Sequence, residues 1–551
     1  MTTRRTVSLV LCWMVLGGLV LGACAAIPSS GNVNRVVVDE DSAGSTANFR
    51  PAPPTPGAAP DVIVRGFLDA MLAYPSTSRI AAKFLTPTAA SSWNPMASTT
   101  VYTAPSLRSA TSDATSDRNS AVVNLRYSQR AVLDEQGHFS ARSGAADHTW
   151  ELERVGSQWR IANPPDGLLV TQDWFDDFVR PFTLAFVDRV RGVVVPDPVH
   201  RVVGDQLATQ LVSALALGPD RAVAAQVETS VPGVDVLRST VPVGAGGVAE
   251  VTFTGDLDED ADERDLSAQI VWTLRQVLGV KAVRLRVGGD VITFGDGTTQ
   301  AVGSWTGYDP ARTHRRVGVV QRGRSGTLDG KTVTSVGRSE EATATAVGTR
   351  IAMLVDDRIV VERRNGTALF DIAGTGLLAP VVDADDAVWA IESGGRVRVR
   401  DLDERTVGRL PGVESFAVSP DASRYAAVVD GELVVGAIER ELGRISGLGR
   451  PVRVTTGAGR ARHVAWHDST RLVHLSGSDP AAHLTRIDSS STVPLGQGPA
   501  REGVATSRLV DIAVGGADTP RVYVLDDSQR VWLLDGEGWA PTAGLDVTSI
   551  S

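Results

Sequence analysis

The sequence predicts a multidomain protein, two α+β domains followed by an all-β propeller of about five to six blades. Three observations predict it. At 551 residues, 42% of them hydrophobic, the chain is folded protein too long for a single core. Through residues 61–300, segments of helical periodicity are mixed with alternating, strand-like segments. From about Gly303 onward only short strands remain, and similar turns recur at Gly348, Asp385, Asp421 and Asp468. Their spacings of 37, 36 and 47 residues are close to the period of propeller blades.

The chain opens with Arg4 and Arg5, an apolar run over residues 8–20, and then Leu21-Gly22-Ala23-Cys24. Charge, apolar stretch and small residues in that order make a secretory signal peptide of residues 1–23. Leu21, Gly22, Ala23 and Cys24 resemble a bacterial lipobox. That resemblance implies cleavage before Cys24, which would become an N-palmitoyl, S-diacylglycerol cysteine. Each buried methylene of such a lipid contributes about 0.8 kcal/mol, so two or more chains hold a protein on a membrane. Beyond the first two dozen residues no apolar run is long enough to span a bilayer. The expected location is therefore the extracytoplasmic face of the cell membrane, anchored by lipid. Of the two cysteines, Cys12 is removed and Cys24 is acylated, so no disulfide is expected. The formal charge of −10 becomes −12 once Arg4 and Arg5 leave with the signal peptide. An acidic surface without a clustered basic patch disfavours nucleic acid.

Residues 24–60 read as a tether, with Pro28 and then Pro51, Pro53, Pro54, Pro56 and Pro60 keeping it semi-rigid. As a coil it would reach tens of ångströms, at roughly 5–6 Å times the square root of its length.

Residues 61–180 form the first expected domain. Val62, Phe67, Leu68, Met71 and Leu72 have helical spacing, and residues 83–93, from Lys83 to Trp93, suggest a second short helix. Val123, Leu125 and Tyr127 alternate as a strand, and Gly137 supplies a turn. Trp150, Leu152, Trp159 and Ile161 flank another turn at Val155-Gly156-Ser157. This closing hairpin resembles the last hairpin of the NTF2-like cone, and Trp93, Trp150 and Trp159 read as core.

Residues 185–300 form the second. Leu207, Leu211 and Leu215 mark one helix ending near Gly218-Pro219. Leu266, Ile270, Val271, Leu274, Val277 and Leu278 mark another, expected to run to Gly279. A strand follows over residues 280–287. Residues 214–219 and 270–274, with Gly279-Val280, resemble the GerMN module of sporulation and germination proteins. That resemblance implies a binding module without catalytic residues.

Residues 303–551 form the propeller. Asn365-Gly366, Asp430-Gly431 and Asp526-Asp527 are hairpin tips, and a fifth turn falls near Gly515-Gly516. Residues 311–338 and the end of the chain together supply material for a sixth blade.

Motifs that carry chemistry fail on spacing. Gly330-Lys331-Thr332 resembles the end of a phosphate-binding loop, but the required glycine is Ser325, and Asp329-Gly330 suits a hairpin better. The acidic run Asp256, Asp258, Glu259, Asp260, Asp262, Glu263, Asp265 lacks calcium-loop spacing, having Ala261 and Ser267 at the key positions. It is expected to form a solvated cap on the following helix. His463 and His467 straddle a strand and turn, where a spacing of four brings no common metal ligand set. No catalytic residue, metal or cofactor is assigned.

Lipobox, NTF2-like unit, GerMN-like unit and propeller, in that order, resemble the LpqB lipoprotein family of actinobacteria. The resemblance implies a non-catalytic accessory of a sensor histidine kinase in MtrA–MtrB type two-component signalling, acting on cell envelope and division. The implied partner is the extracellular domain of the kinase MtrB. Two alternatives stay open on the residues: an extracytoplasmic small-ligand receptor, and a cell-envelope hydrolase with its active site in the propeller.

Overall fold

A computed structural model describes residues 51–551, apart from 74–77, 111–118, 312–314, 330–331, 336–343, 348–349, 497–507 and 543–545 and scattered positions: 221–222, 225, 228, 234–236, 238–239, 258, 260, 295–296, 364, 517–518 and 537. The signal peptide, the lipobox and most of the tether lie outside these residues. Among the described residues, no helix is long and apolar enough to cross a membrane.

In the first domain, α1 (Pro60–Met71) starts on a proline, whose fixed φ suits a first helical turn. Its Ile63, Val64, Phe67, Leu68 and Met71 are buried, whereas Val62, expected on that face, is exposed. A short helix, α2 (Arg79–Ala82), comes first, and the helix expected over 83–93 is confined to α3 (Pro87–Ser92). They separate because Thr86 N donates to Ile161 O at 2.8 Å, while the Thr86 hydroxyl caps α3 by accepting from Ala89 N. Five strands follow: β1 (Ser98–Ala110), β2 (Ser120–Asp134), β3 (Phe139–Val155), β4 (Gln158–Ile161) and β5 (Leu168–Thr171), in sheet order β4-β3-β2-β1-β5. Phe67 sits edge-on to Trp93 and Trp150, with ring centroids 5.3 and 5.7 Å away. Phe67, Trp93 and Trp150 thus share one core with aliphatic side chains of the sheet such as Val123, Leu125 and Leu152. Helix α4 (Gln172–Phe178) completes the domain.

The second domain begins with a long hairpin, β6 (Val179–Asp188) and β7 (Val193–Val202), which the sequence reading did not anticipate. Then come α5 (Leu207–Ala216), β8 (Val248–Phe253), α6 (Glu263–Leu274), β9 (Ala282–Val287), β10 (Asp290–Val291) and β11 (Gln300–Ala301). β8 runs parallel to β9, and apolar residues of α5, α6, β8, β9 and the hairpin share one core. Helix α6 stops at Leu274, a turn before Gly279. There Gln276 is used elsewhere, reaching back to the backbone of Thr183, and Leu278 is left exposed.

The remaining strands form six blades among the described residues, the first two joined into one eight-stranded sheet by a short pairing of residues 315–316 with 346–347. Blade 1 holds β12 (Arg315–Gln321), β13 (Arg324–Asp329) and β14 (Thr332–Ser335). Blade 2 holds β15 (Ala344–Val347), β16 (Arg350–Val355), β17 (Arg358–Arg363) and β18 (Ala368–Ala373). Blade 3 holds β19 (Val381–Val382), β20 (Val388–Ile391), β21 (Arg396–Arg400) and β22 (Glu404–Arg409). Blade 4 holds β23 (Val413–Val418), β24 (Arg424–Val429), β25 (Glu432–Glu441) and β26 (Arg444–Leu448), with β27 (Val452–Arg453) beside β25. Blade 5 holds β28 (Ala461–Asp468), β29 (Arg471–Ser476), β30 (Ala481–Arg486) and β31 (Thr492–Pro494). Blade 6 holds β32 (Leu509–Gly515), β33 (Arg521–Asp526), β34 (Val531–Asp535) and β35 (Gly538–Pro541). Strand β36 (Val547–Ile550) then pairs with β12 and completes blade 1.

The turns that set the sequence period have one structural meaning. Asp385, Asp421, Asp468 and Gly515-Gly516 all lie at the junction of the first two strands of blades 3 to 6. Gly348 lies outside the described residues. Apolar clusters bridge neighbouring blades all the way round. Ala352 of blade 2 packs with Val388 and Ala390 of blade 3, Ala426 of blade 4 with Trp466 of blade 5, and Ala513 of blade 6 with Val547 and Ile550. Ring closure leaves few free sheet edges, so no disulfide is needed to hold the blades.

Candidate functional site: the hairpin seated on the propeller

The β6–β7 hairpin carries Pro181, Pro196 and Pro198, which a central strand would reject. They are tolerated because the hairpin is two-stranded and its outer edge is covered by side chains. Thr273 Oγ1 of α6 accepts from Ala185 N at 3.0 Å. Gln276 accepts from Thr183 N at 3.0 Å and donates to Thr183 O.

The tip, residues 188–192, turns at Gly192 with φ +58°. Its two arginines face different neighbours. Arg189 Nε donates to Asp265 Oδ2 at 3.2 Å, and Tyr308 donates to the other oxygen of Asp265 at 2.9 Å, which ties the tip to its own domain. Arg191 Nε donates to Asp188 Oδ2 at 2.6 Å, while its Nη1 reaches Asp385 Oδ2 at 3.3 Å and the backbone carbonyl of Asp421. Arg440 of blade 4 approaches the same oxygen of Asp385 at 3.3 Å. Arg424 Nη2 donates to Pro196 O at 2.8 Å, and Ser423 Oγ donates to Asp421 Oδ2. Asp188, Asp421 and Arg424 are all buried.

Buried charge is stable only when paired. Burial works against Arg191, yet Asp188, Asp385 and Asp421 outweigh it and hold its pKa above the usual arginine value. Arg440 is shifted down, first by burial and then by the neighbouring Arg191. Asp383, beneath this cluster, accepts from the backbone N–H groups of Asp385 and Ala387 and from Trp389 Nε1, each at 2.9 Å. Burial and the charge of Asp385 push its carboxyl up to about 6.

Further along β7, Asp197 and His200 join the hairpin to the other domains. His138, in the turn between β2 and β3, lies 2.9 Å from Asp134 Oδ2 and 3.0 Å from Asp197 Oδ2. A ring with a carboxylate on each nitrogen donates from both, so it is an imidazolium. Burial opposes that charge, but the two carboxylates raise its pKa to about 10. His200 packs on Phe139 and Phe175, with centroids at 5.3 and 6.0 Å, and its Nδ1 is 3.8 Å from Asp488 Oδ2 of blade 5. Burial depresses His200 to about 4, so it is neutral at pH 7. One strand thus touches all three domains. The arrangement fixes their mutual orientation.

The residues singled out from the sequence lie elsewhere. Leu21, Gly22, Ala23 and Cys24 are outside the described residues, as are Gly330 and Lys331. Around the latter pair, Asp329 of β13 is opposite Thr332 of β14, as a tight hairpin requires. Within the acidic run, Asp262 caps α6 by accepting from Arg264 N and Asp265 N. Asp265 departs from the expectation of a solvated cap, being buried against Arg189, and Asp258 and Asp260 are outside the described residues. His463 pairs with Asp511 and His467 with Asp468, two separate partners. The sequence reading missed His138, Asp188, Arg191, Asp197 and His200. A signal was available in the charged turn Asp188-Arg189-Val190-Arg191-Gly192, set between two apolar runs.

Three family models tile the chain. "Lipoprotein LpqB, N-terminal domain" matches residues 53–176, "Sporulation and spore germination" matches 183–293, and "Lipoprotein LpqB beta-propeller domain" matches 318–550. The chain belongs to the LpqB lipoprotein family. Proteins named Lipoprotein LpqB are similar over most of its length. That of Cutibacterium acnes is 26% identical, covering 87% of this chain and 89% of the relative. That of Rhodococcus opacus is 27% identical, covering 94% and 91%. That of Mycobacterium tuberculosis is 28% identical, covering 96% of each. Among solved structures, one titled "Crystal structure of Nidogen/Laminin Complex" matches at TM-score 0.33 and 12% identity, over 43% of this chain and 97% of that one. Within this LpqB-family chain the docked hairpin belongs to the middle of the three matched segments, and its seat to the last.

Proposed function

We propose that this LpqB-family chain is a lipoprotein held by Cys24 at the extracytoplasmic face of the cell membrane. There it acts without catalysis, as an accessory of a sensor histidine kinase of the MtrA–MtrB type, through contact with the kinase's extracellular domain. The observation that carries the reading is the docked hairpin: buried ion pairs fix the second domain to the propeller, and His138 fixes the first domain to the second. A fixed multi-domain body suits a protein that works by presenting a surface. A lipid anchor adds to this, since confining both partners to one membrane raises their effective concentration and lets a weak contact suffice.

The test is crosslinking in living cells from photoreactive residues on the propeller, followed by identification of the kinase in the crosslinked product. Cys24→Ala is expected to move the protein from the membrane to the soluble fraction and to abolish the crosslink. Retention of the variant on the membrane, or a product without the kinase, overturns the reading.

A further inference from the structure

Three apolar side chains stand out on the propeller face that receives the hairpin: Val190 at the hairpin tip, Leu402 and Leu442, with 72%, 77% and 96% of their surfaces exposed. Single exposed leucines are ordinary. These three are joined. Leu402 and Leu442 occupy corresponding turns, β21 to β22 and β25 to β26, in adjacent blades. The turns are bound together by Arg444, which pairs with Asp403 at 3.1 Å and lies 3.7 Å from Asp401, and by Arg405 Nη1 donating to Ile445 O. Val190 packs on Gly443, where a Cβ would come within 2.8 Å of its Cγ1.

Leu442 also has a backbone that leucine avoids. Its φ is +49°, in the left-handed region, where asparagine or glycine sits at far lower cost. A bulky apolar residue held in that conformation costs the fold, and with its side chain presented to solvent it recovers nothing by burial. Such cost concentrates where a surface is used.

The surrounding charge says what fits. Arg405 and Arg444 are balanced by Asp401 and Asp403, and Glu441 adds a negative charge beside Leu442. Anionic lipid headgroups gain nothing here, whereas a protein groove that is apolar with a basic edge gains on both counts.

We propose that Val190, Leu402 and Leu442 form one docking surface for such a groove on a partner protein. Resting on the functional reading above, the partner is the extracellular domain of the sensor kinase. The surface exists only while the hairpin is seated, because Val190 comes from the second domain and both leucines from the propeller.

The full-length protein in phosphatidylcholine nanodiscs, titrated with the purified extracellular domain of the kinase, tests this. Wild type is expected to bind, and the double variant Leu402→Asn, Leu442→Asn to bind at least tenfold more weakly. Because asparagine accepts the left-handed conformation, the variant is expected to melt no lower than wild type, which separates lost binding from lost fold. Equal binding by variant and wild type overturns the surface and leaves the functional reading standing. No binding by wild type overturns the functional reading and the assigned partner together. Leucine-dependent binding to phosphatidylglycerol vesicles in place of the kinase domain overturns the choice of a protein groove.

Discussion

His138, His200 and His474 show how identical side chains are given opposite electrostatic settings. His138 is charged between two carboxylates. His200 and His474 are buried neutral. His474 places its ring nitrogens against the hydroxyls of Ser476 and Thr485, and burial depresses it to about 3. The linkage signs therefore oppose. His138, raised to about 10, contributes stability that is complete below its unfolded value near 6.5 and is lost as pH rises toward 10. His200 and His474, lowered to about 4 and 3, are protonated first in the unfolded chain, so stability falls as pH drops below about 6.5. Melting temperature measured against pH is expected to peak near neutrality. His138→Gln is expected to lower the curve below pH 8 and flatten its alkaline limb; an unchanged alkaline limb counts against the assigned charge state. None of this was legible in the sequence. There His463 and His467 drew attention by spacing, whereas His138 gains its role from Asp197, 59 residues away.

At the scale of elements, amphipathic helices and tight turns were legible because their causes are local. Leu207, Leu211 and Leu215 recur with helical period, and the glycines of the blade tips take conformations that other residues resist. The hairpin was not legible, because its causes are distant. Three prolines argue against strands, and the groups that cover its edge, Thr273 and Gln276, lie some ninety residues on. The end of α6 was misplaced for the same reason. The hairpin's seat depends on Arg191. Arg191→Ala leaves Asp188 buried without its counter-ion, at a cost of about 3–5 kcal/mol. Amide hydrogen exchange over residues 179–202 is expected to accelerate at least a hundredfold, with the blade cores unchanged. The double variant Asp188→Leu, Arg191→Met removes both charges and is expected to lose much less. Equal losses in the two variants contradict the buried-pair account.

At the scale of the whole molecule, the three-part order and the blade repeat were legible, and so was the sixth blade assembled from residues 311–338 and the end of the chain, although the turns alone left the count at five to six. The turns at Asp385, Asp421, Asp468 and Gly515-Gly516 report blades 3 to 6 because each joins a blade's own first two strands. Blade 1 has no such turn, since its β36 and β12 come from opposite ends of the propeller sequence. Ser551 and Gly318 exchange two backbone hydrogen bonds at that seam, of 2.8 and 3.0 Å. Deleting residues 547–551 is expected to expose the edge of β12 and the cluster around Val317, Val319 and Ala513. Limited proteolysis is expected to cut the deleted protein within the propeller at protease levels that wild type survives; equal resistance means that the seam contributes little.

That seam also sets a timetable for biogenesis. Val319 finds Ile550 only after more than two hundred intervening residues have emerged. The first two domains can mature while the rest is still being made, but the circle stays open until residues 547–550 arrive. A product stalled short of them carries a raw strand on each flank, ready to be recognised and destroyed. Residues 547–550 are thus the piece on which closure of the ring waits.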